Sequence, residues 1–288
     1  MGQAVFVQLA AALAAVAALL GSDDRATAEP SLASLVPGYD ISWPQCGKPY
    51  PSGPVAFAII GINNGRPYTA NPCFLHQYRW ASRLERNPAV YVNVDYPKAG
   101  RREALNGPYG VCSEADDWCR AYNYGYGIGR EAVSRAVFMG VRPDVWWLDV
   151  ETNNYWSGDP TYNAQVIRGA VDYFKERRLT VGVYGTPYQW RIIAGSYAPG
   201  LPVWTAGAQG IEGAARRCGD LAHAFGGGRV HMVQYYDYGF DTNFICPDSN
   251  LRQAPTGDPL GREGPSGRST ADSGKVLPFW SVLPFLSN

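Results

Sequence analysis

Trp146-Trp147-Leu148-Asp149-Val150-Glu151 closes a short apolar run, residues 145–150, with two carboxylates placed at i and i+2. Side chains alternate faces along a strand, so Asp149 and Glu151 point the same way, roughly 7 Å apart at the backbone. Two carboxylates held this close suit a reaction in which one keeps its proton while the other is ionised, as cleavage of a glycosidic bond requires. An apolar strand that stops at two acids also reads as the C-terminal mouth of a β/α barrel.

The flanking segments repeat the pattern. Residues 36–42 read as a first strand with Asp40 near its end, and 55–62 form an almost continuous apolar run, as in a strand buried on both faces. Residues 72–86 are helical in pattern, and 89–94 return to strand with Asp95 just beyond. A long aromatic-rich loop holding Cys112 and Cys119 leads into a helix over about 118–139, which Gly140 closes. Asp159-Pro160 is a helix start, an N-cap acid before proline, and Tyr162, Val166, Ile167, Ala170, Val171 and Phe174 follow at helical spacing. Then come a strand at 180–184, a short helix at 188–194, and strands at 202–206, 230–235 and 240–244. Repeated strand-then-helix units predict an α/β fold with a parallel sheet, and about eight strands favour one closed, irregular TIM-type (β/α) barrel. The irregularity is expected at the end, where the last strands have little helix between them. There is no internal repeat.

The 288 residues suffice for one such domain. Lys plus Arg and Asp plus Glu both number 25, so no net field favours nucleic acid or anionic lipid. The 9 Trp and 19 Tyr can fill a core or stack on sugar faces. Residues 4–20 are apolar, interrupted by Gln8, and Ala26-Thr27-Ala28 offers a small-x-small cleavage site, so residues 1–28 read as a secretory signal peptide. No Lys or Arg precedes the apolar run, and an uncleaved anchor is the alternative. The barrel is expected over 29–250. Beyond it the chain turns to Gly, Pro, Ser and charge, and 251–288 is expected to be a disordered tail. Cys46, Cys73, Cys112, Cys119, Cys218 and Cys246 form an even set without a CxxC pair, which suits an exported, disulfide-containing protein more than a zinc site. Fifteen connectivities are open to six cysteines. Nearest-neighbour pairing is expected, each bond closing a loop beside a strand end; free buried thiols are the alternative.

Acids thus fall at four strand ends: Asp40, Asp95, the Asp149/Glu151 pair and Asp241. Singly, each could cap a helix or sit in a solvated loop. Gathered at one mouth they repel, and one would hold its proton toward neutrality. Gly125-x-Gly127-x-Gly129 does not follow a strand and lacks the spacing of a phosphate loop. His76, His223 and His231 have no partner at metal-ligand spacing, and there is no Gly-x-Ser-x-Gly elbow.

Several of these pieces together resemble a known family. Gly38-Tyr39-Asp40-Ile41-Ser42, the Asp149-x-Glu151 pair, Val203-Trp204-Thr205-Ala206, Gln234-Tyr235 and Asp241-Thr242-Asn243 resemble, in order, motifs of glycoside hydrolase family 25, the lysozyme-like muramidases. The resemblance spans about 37–246. It implies hydrolysis of the β-1,4 bond between N-acetylmuramic acid and N-acetylglucosamine in peptidoglycan. Glu151 would be the general acid, and Asp149 would orient the reacting acetamido group or water. Asp40 and Asp241 would line the floor and tune Glu151. Tyr184, Trp204, Gln234, Tyr235 and Trp43, with Asp95, make up the expected substrate-binding set. No cofactor or metal is expected, and the protein would act as a secreted or cell-wall-associated monomer, without stable membrane insertion once the leader is removed. Four features depart from the pattern: Ser42 is followed by Trp43-Pro44-Gln45-Cys46 where the family runs on to Trp-Gln-Gly, Val233 precedes Gln234 where the family has Trp, the segment before Asp241 is shortened, and the disulfides are not general. A non-catalytic glycan-binding barrel, or an envelope interaction protein using the tail after Arg252, are the competing readings.

Overall fold

Strand alternation sorts the side chains of this chain into a barrel interior and an outer core. The computed structural model describes residues 36–237 and 239–249; the leader at 1–28 and the tail at 251–288 lie outside the described residues. The first strands are β1 (Gly38–Ile41), β2 (Phe57–Gly61) and β3 (Ala89–Asn93). A small hairpin, β4 (Asn106–Gly107) with β5 (Gly110–Val111), fills the loop in which the sequence showed no strand. Then follow β6 (Val145–Asp149), β7 (Thr180–Gly185), β8 (Val203–Ala208), β9 (Val230–Asp237) and β10 (Phe240–Ile245). Around the closed barrel the order is β1-β10-β9-β8-β7-β6-β3-β2.

On β6, Trp146 and Leu148 join the core between strands and helices, whereas Val145 and Trp147 point into the barrel. Phe57, Ile59, Ala89, Tyr184, Trp204 and Met232 fill the rest of that interior. Burying each large apolar side chain stabilises by about 2–3 kcal/mol. Gly182 on β7 makes the space: a Cβ there would lie 2.3 Å from the Trp147 ring. Asp149 has the same parity as Val145 and Trp147, so it too faces inward, at the end where the packed rings stop.

All neighbouring barrel strands run parallel except β10, which is antiparallel to both β1 and β9. Its beginning therefore lies at the mouth formed by the ends of the others, with Asp241 directly opposite Asp40. The last strands also hold more helix than the sequence suggested.

Among the described residues five α-helices connect the strands: α1 (Phe74–Ala81), α2 (Asp117–Phe138), α3 (Pro160–Glu176), α4 (Pro187–Ala194) and α5 (Gly210–Arg217), the last between β8 and β9. Asp116, Asp159 and Thr186 cap α2, α3 and α4 through side-chain oxygens that accept backbone N–H groups. The Gly125-x-Gly127-x-Gly129 run lies inside α2, where Gly125 and Gly129 let α3 approach closely while Gly127 faces the Tyr68 hydroxyl. A Cβ at Gly125 would sit 1.9 Å from the Val166 carbonyl oxygen, and one at Gly169 would sit 2.2 Å from that of Tyr122. Gly125→Ala is thus expected to push the two helices apart and cost about 3 kcal/mol, read as a lower urea midpoint. An unchanged midpoint would mean that the helices can separate without loss.

The cysteines pair as nearest neighbours: Cys46–Cys73, Cys112–Cys119 and Cys218–Cys246. The first ties the loop after β1 to the start of α1, and the third ties the end of α5 to the end of β10. Each closes a loop near the barrel's rim, which raises stability by limiting the unfolded chain.

Candidate active site

Asp40, at the inward-facing end of β1, anchors one side of the mouth. Its Oδ1 accepts hydrogen bonds from Gln234 Nε2 at 3.0 Å and Asn243 Nδ2 at 2.7 Å. Those donors favour the carboxylate, yet burial and the nearby Asp241 charge outweigh them, with a smaller push from Glu151, and the group is raised to about 7. Asp241 is raised as well, by partial burial, although its outer side faces water.

Asp149 is only 5% exposed. Asn93 on β3 donates its side-chain amide to Asp149 Oδ2, and Asn63 grips the Asn93 backbone from both sides, donating to its carbonyl at 3.1 Å and accepting from its N–H at 3.2 Å. Asp149 Oδ1 is buried and receives no N–H or O–H donor. Asp149 also interacts with another carboxyl, that of Glu151, a contact that pushes Asp149 up and opposes the rise of Glu151. Two acceptors face to face are satisfied only by a shared proton. Burial, then the charges of Glu151 and Asp40, push Asp149 well above the ordinary carboxylate range. Glu151 is half-buried and is raised by burial, against hydrogen bonds from Gln189 of α4 and from Asp149. Such a proton belongs to the pair. All four acids act on one group: beyond burial, Glu151, Asp149, Asp40 and Asp241 in that order hold the Tyr184 phenol protonated.

The family model described as lysozyme-like protein 1 matches residues 122–227. A probable family 25 lysozyme of Dictyostelium discoideum is 32% identical over 95 residues, which are 32% of this chain and 42% of that protein. Over these stretches the chain is similar to lysozymes of glycoside hydrolase family 25. The aligned part spans less than half the length of that curated relative. Among solved structures, a family 25 glycosyl hydrolase from Bacillus anthracis is 12% identical, covering 73% of this chain and 88% of that one with a TM-score of 0.44. A glycosyl hydrolase 25 of Streptococcus pneumoniae is 14% identical, covering 75% and 88% with a TM-score of 0.42. The family-model match takes in Asp149, Glu151, Tyr184 and Gln189, whereas Asp40, Gln234 and Asp241 lie outside it and join the site through the barrel's closure.

Not every residue that the family 25 resemblance suggested reaches the cleft. Trp204 is 2% exposed inside the barrel, with its Nε1 donating to Asn243 Oδ1 at 2.8 Å, so it supports the floor and cannot touch a sugar. Tyr235 has the opposite parity to Gln234 and packs into the outer core between strands and helices. Asp95 does not join the four acids. It accepts a hydrogen bond from Tyr124 of α2 at 2.9 Å, near Arg101, Lys98 and Arg66. Tyr184 and Gln234 do sit at the acids, joined by a 2.8 Å bond from the tyrosine hydroxyl to Gln234 Oε1. Trp43, 45% exposed just beyond β1, is free to stack on a ligand.

The sequence reading missed Asn93, Asn63 and Gln189, whose partners are remote in the chain. It also missed Tyr236, 71% exposed and paired across the ladder with Asp241. Period-2 counting from Gln234 would have found Tyr236 and rejected Tyr235.

Proposed function

We propose that the protein is an exported glycoside hydrolase that cleaves β-1,4 bonds of cell-wall peptidoglycan. The observation that carries this reading is the convergence of Asp40, Asp149, Glu151 and Asp241 on Tyr184 at one barrel mouth, with all four carboxyls raised. The lysozyme family match supports it at the level of substrate class. In this reading Glu151, the member of the dyad with access to the cleft, delivers the proton to the glycosidic oxygen. Asp149 lies behind it, orients the reacting acetamide or water, and shares the proton before the bond breaks. Asp40, held by Gln234 and Asn243, adds negative charge beneath the oxocarbenium-like sugar once it ionises, where that charge is most useful. Asp241 closes the ring of acids from the antiparallel strand.

The test is incubation of the protein with defined muropeptides and mass spectrometry of the products. Fragments ending in reducing N-acetylmuramic acid support the proposal. Tight binding without new reducing ends supports the glycan-binding barrel instead. Trp43→Ala is expected to raise KM about fivefold to tenfold with a smaller change in kcat, because an exposed ring beside β1 can offer stacking area only to the bound strand. A steady-state titration on soluble glycan reads this, and an unchanged KM would place the strand elsewhere.

A further inference from the structure

The rim beside the acids carries the opposite charge. Arg66 lies in the loop after β2 and follows Gly65, where a Cβ would be 3.2 Å from the Trp43 indole nitrogen, so this loop begins against that ring. Lys98 lies in the loop after β3, its Nζ 5.1 Å from the centre of the Tyr155 ring, which is 50% exposed. That loop is stitched to the one after β6: Tyr96 N–H donates to the Tyr155 carbonyl at 2.7 Å, and Asn154 Nδ2 donates to the Val94 carbonyl at 3.1 Å. All three loops leave the strand ends that form the acidic mouth. Arg101 is nearby but is paired with Glu103 at 3.6 Å. Among the described residues Arg66 and Lys98 have no ion-pair partner. Both side chains are exposed, and Asp95 feels both charges without meeting either directly.

Four clustered acids repel a glycan that itself carries carboxylates, and a chain of zero net charge supplies no general attraction to offset this. Two unpaired cations between exposed rings supply it locally. We propose that Arg66 and Lys98 form an edge of the cleft that takes a carboxylate of the muramyl unit, so that the site prefers acidic glycan strands to neutral ones and sets the direction in which a strand crosses the acids. This rests on the peptidoglycan reading of the site. The carboxylate could belong to a stem peptide or, where the peptide has been removed, to the lactyl group itself.

Binding by the full chain carrying Glu151→Gln, which prevents turnover, separates these cases when compared with the same chain also carrying Arg66→Ala and Lys98→Ala. Three probes are used: glycan strands with stem peptides, strands stripped of peptide to free lactyl carboxyls, and stripped strands converted to methyl esters. Removing both cations is expected to weaken binding about tenfold on at least one carboxylate-bearing strand, with less than a twofold change on the ester. Loss confined to the first probe assigns the stem peptide, and loss confined to the second assigns the lactyl group. Equal loss on all three, or no loss on any, overturns the proposal while leaving the peptidoglycan reading in place. Failure of the parent chain to bind any strand overturns both. Both residues are exposed, so folding should be spared, and circular dichroism checks this.

Discussion

Glu151→Gln is expected to lower turnover of peptidoglycan by about two to four orders of magnitude while the domain remains folded. The amide keeps the size of the carboxyl and can still bond to Gln189, but it has no proton to give. It also removes one charge from a crowded group, so the melting temperature is expected to hold or rise. Reducing-end release and thermal denaturation on the same preparation read both quantities. Wild-type activity in this variant would remove Glu151 from the chemistry. The proton shared with Asp149 gives a second signature: kcat/KM should fall on the alkaline side as the pair loses it, and a curve without that descent would mean that no such proton is used.

Stability is expected to fall between pH 4 and pH 8, the reverse of proteins whose acids are salt-bridged. Asp40 has an ordinary value of 3.8 when unfolded and about 7 when folded. The folded state therefore holds a proton that the unfolded chain releases. The resulting stabilisation is fully present below the unfolded value and is lost as pH rises through about 7. Each tenfold change in proton affinity is worth about 1.4 kcal/mol, which puts the effect of Asp40 at a few kcal/mol. Asp149, Glu151 and Asp241 are raised too, so they act with the same sign. Urea midpoints measured across this range should decline, and Asp40→Asn should flatten the decline and raise the midpoint at pH 8. A midpoint that climbs with pH would show that the acids are not crowded as described. An enzyme with this site thus gives up stability at neutral pH to keep a protonated carboxyl in its cleft.

How far the sequence could be read depended on the range of each interaction. Apolar runs such as 55–62 and the acid pair at the end of β6 were legible because burial and alternation are local properties of a strand. The three disulfides followed the simplest pairing. Gly125, Gly127 and Gly129 were correctly refused as a phosphate loop, but the use of Gly125 and Gly129 was hidden until α3 was seen against them, and that of Gly127 until Tyr68 was. Trp204 and Tyr184 are inward-facing aromatic residues paired across neighbouring strands. Only the depth at which each ring sits made one a buried support and the other a wall of the site. Tyr235 was misplaced for a simpler reason, since the alternation that placed Asp149 was not carried through β9. The hairpin of β4 and β5 was overlooked because two-residue strands carry no periodicity, and α5 because its surface-exposed face reads as polar loop.

By itself, then, the amino-acid order determined the barrel class, the eight strands and the inward direction of Asp149 and Glu151, because these follow from patterns a few residues long. The register in which the barrel closes and the reversed direction of β10 were decided only in three dimensions. They place Asp241 opposite Asp40 and bring Gln234 and Asn243 to the same carboxyl. Raised carboxyl values follow from that closure, because desolvation and repulsion depend on distances between groups that lie far apart along the chain.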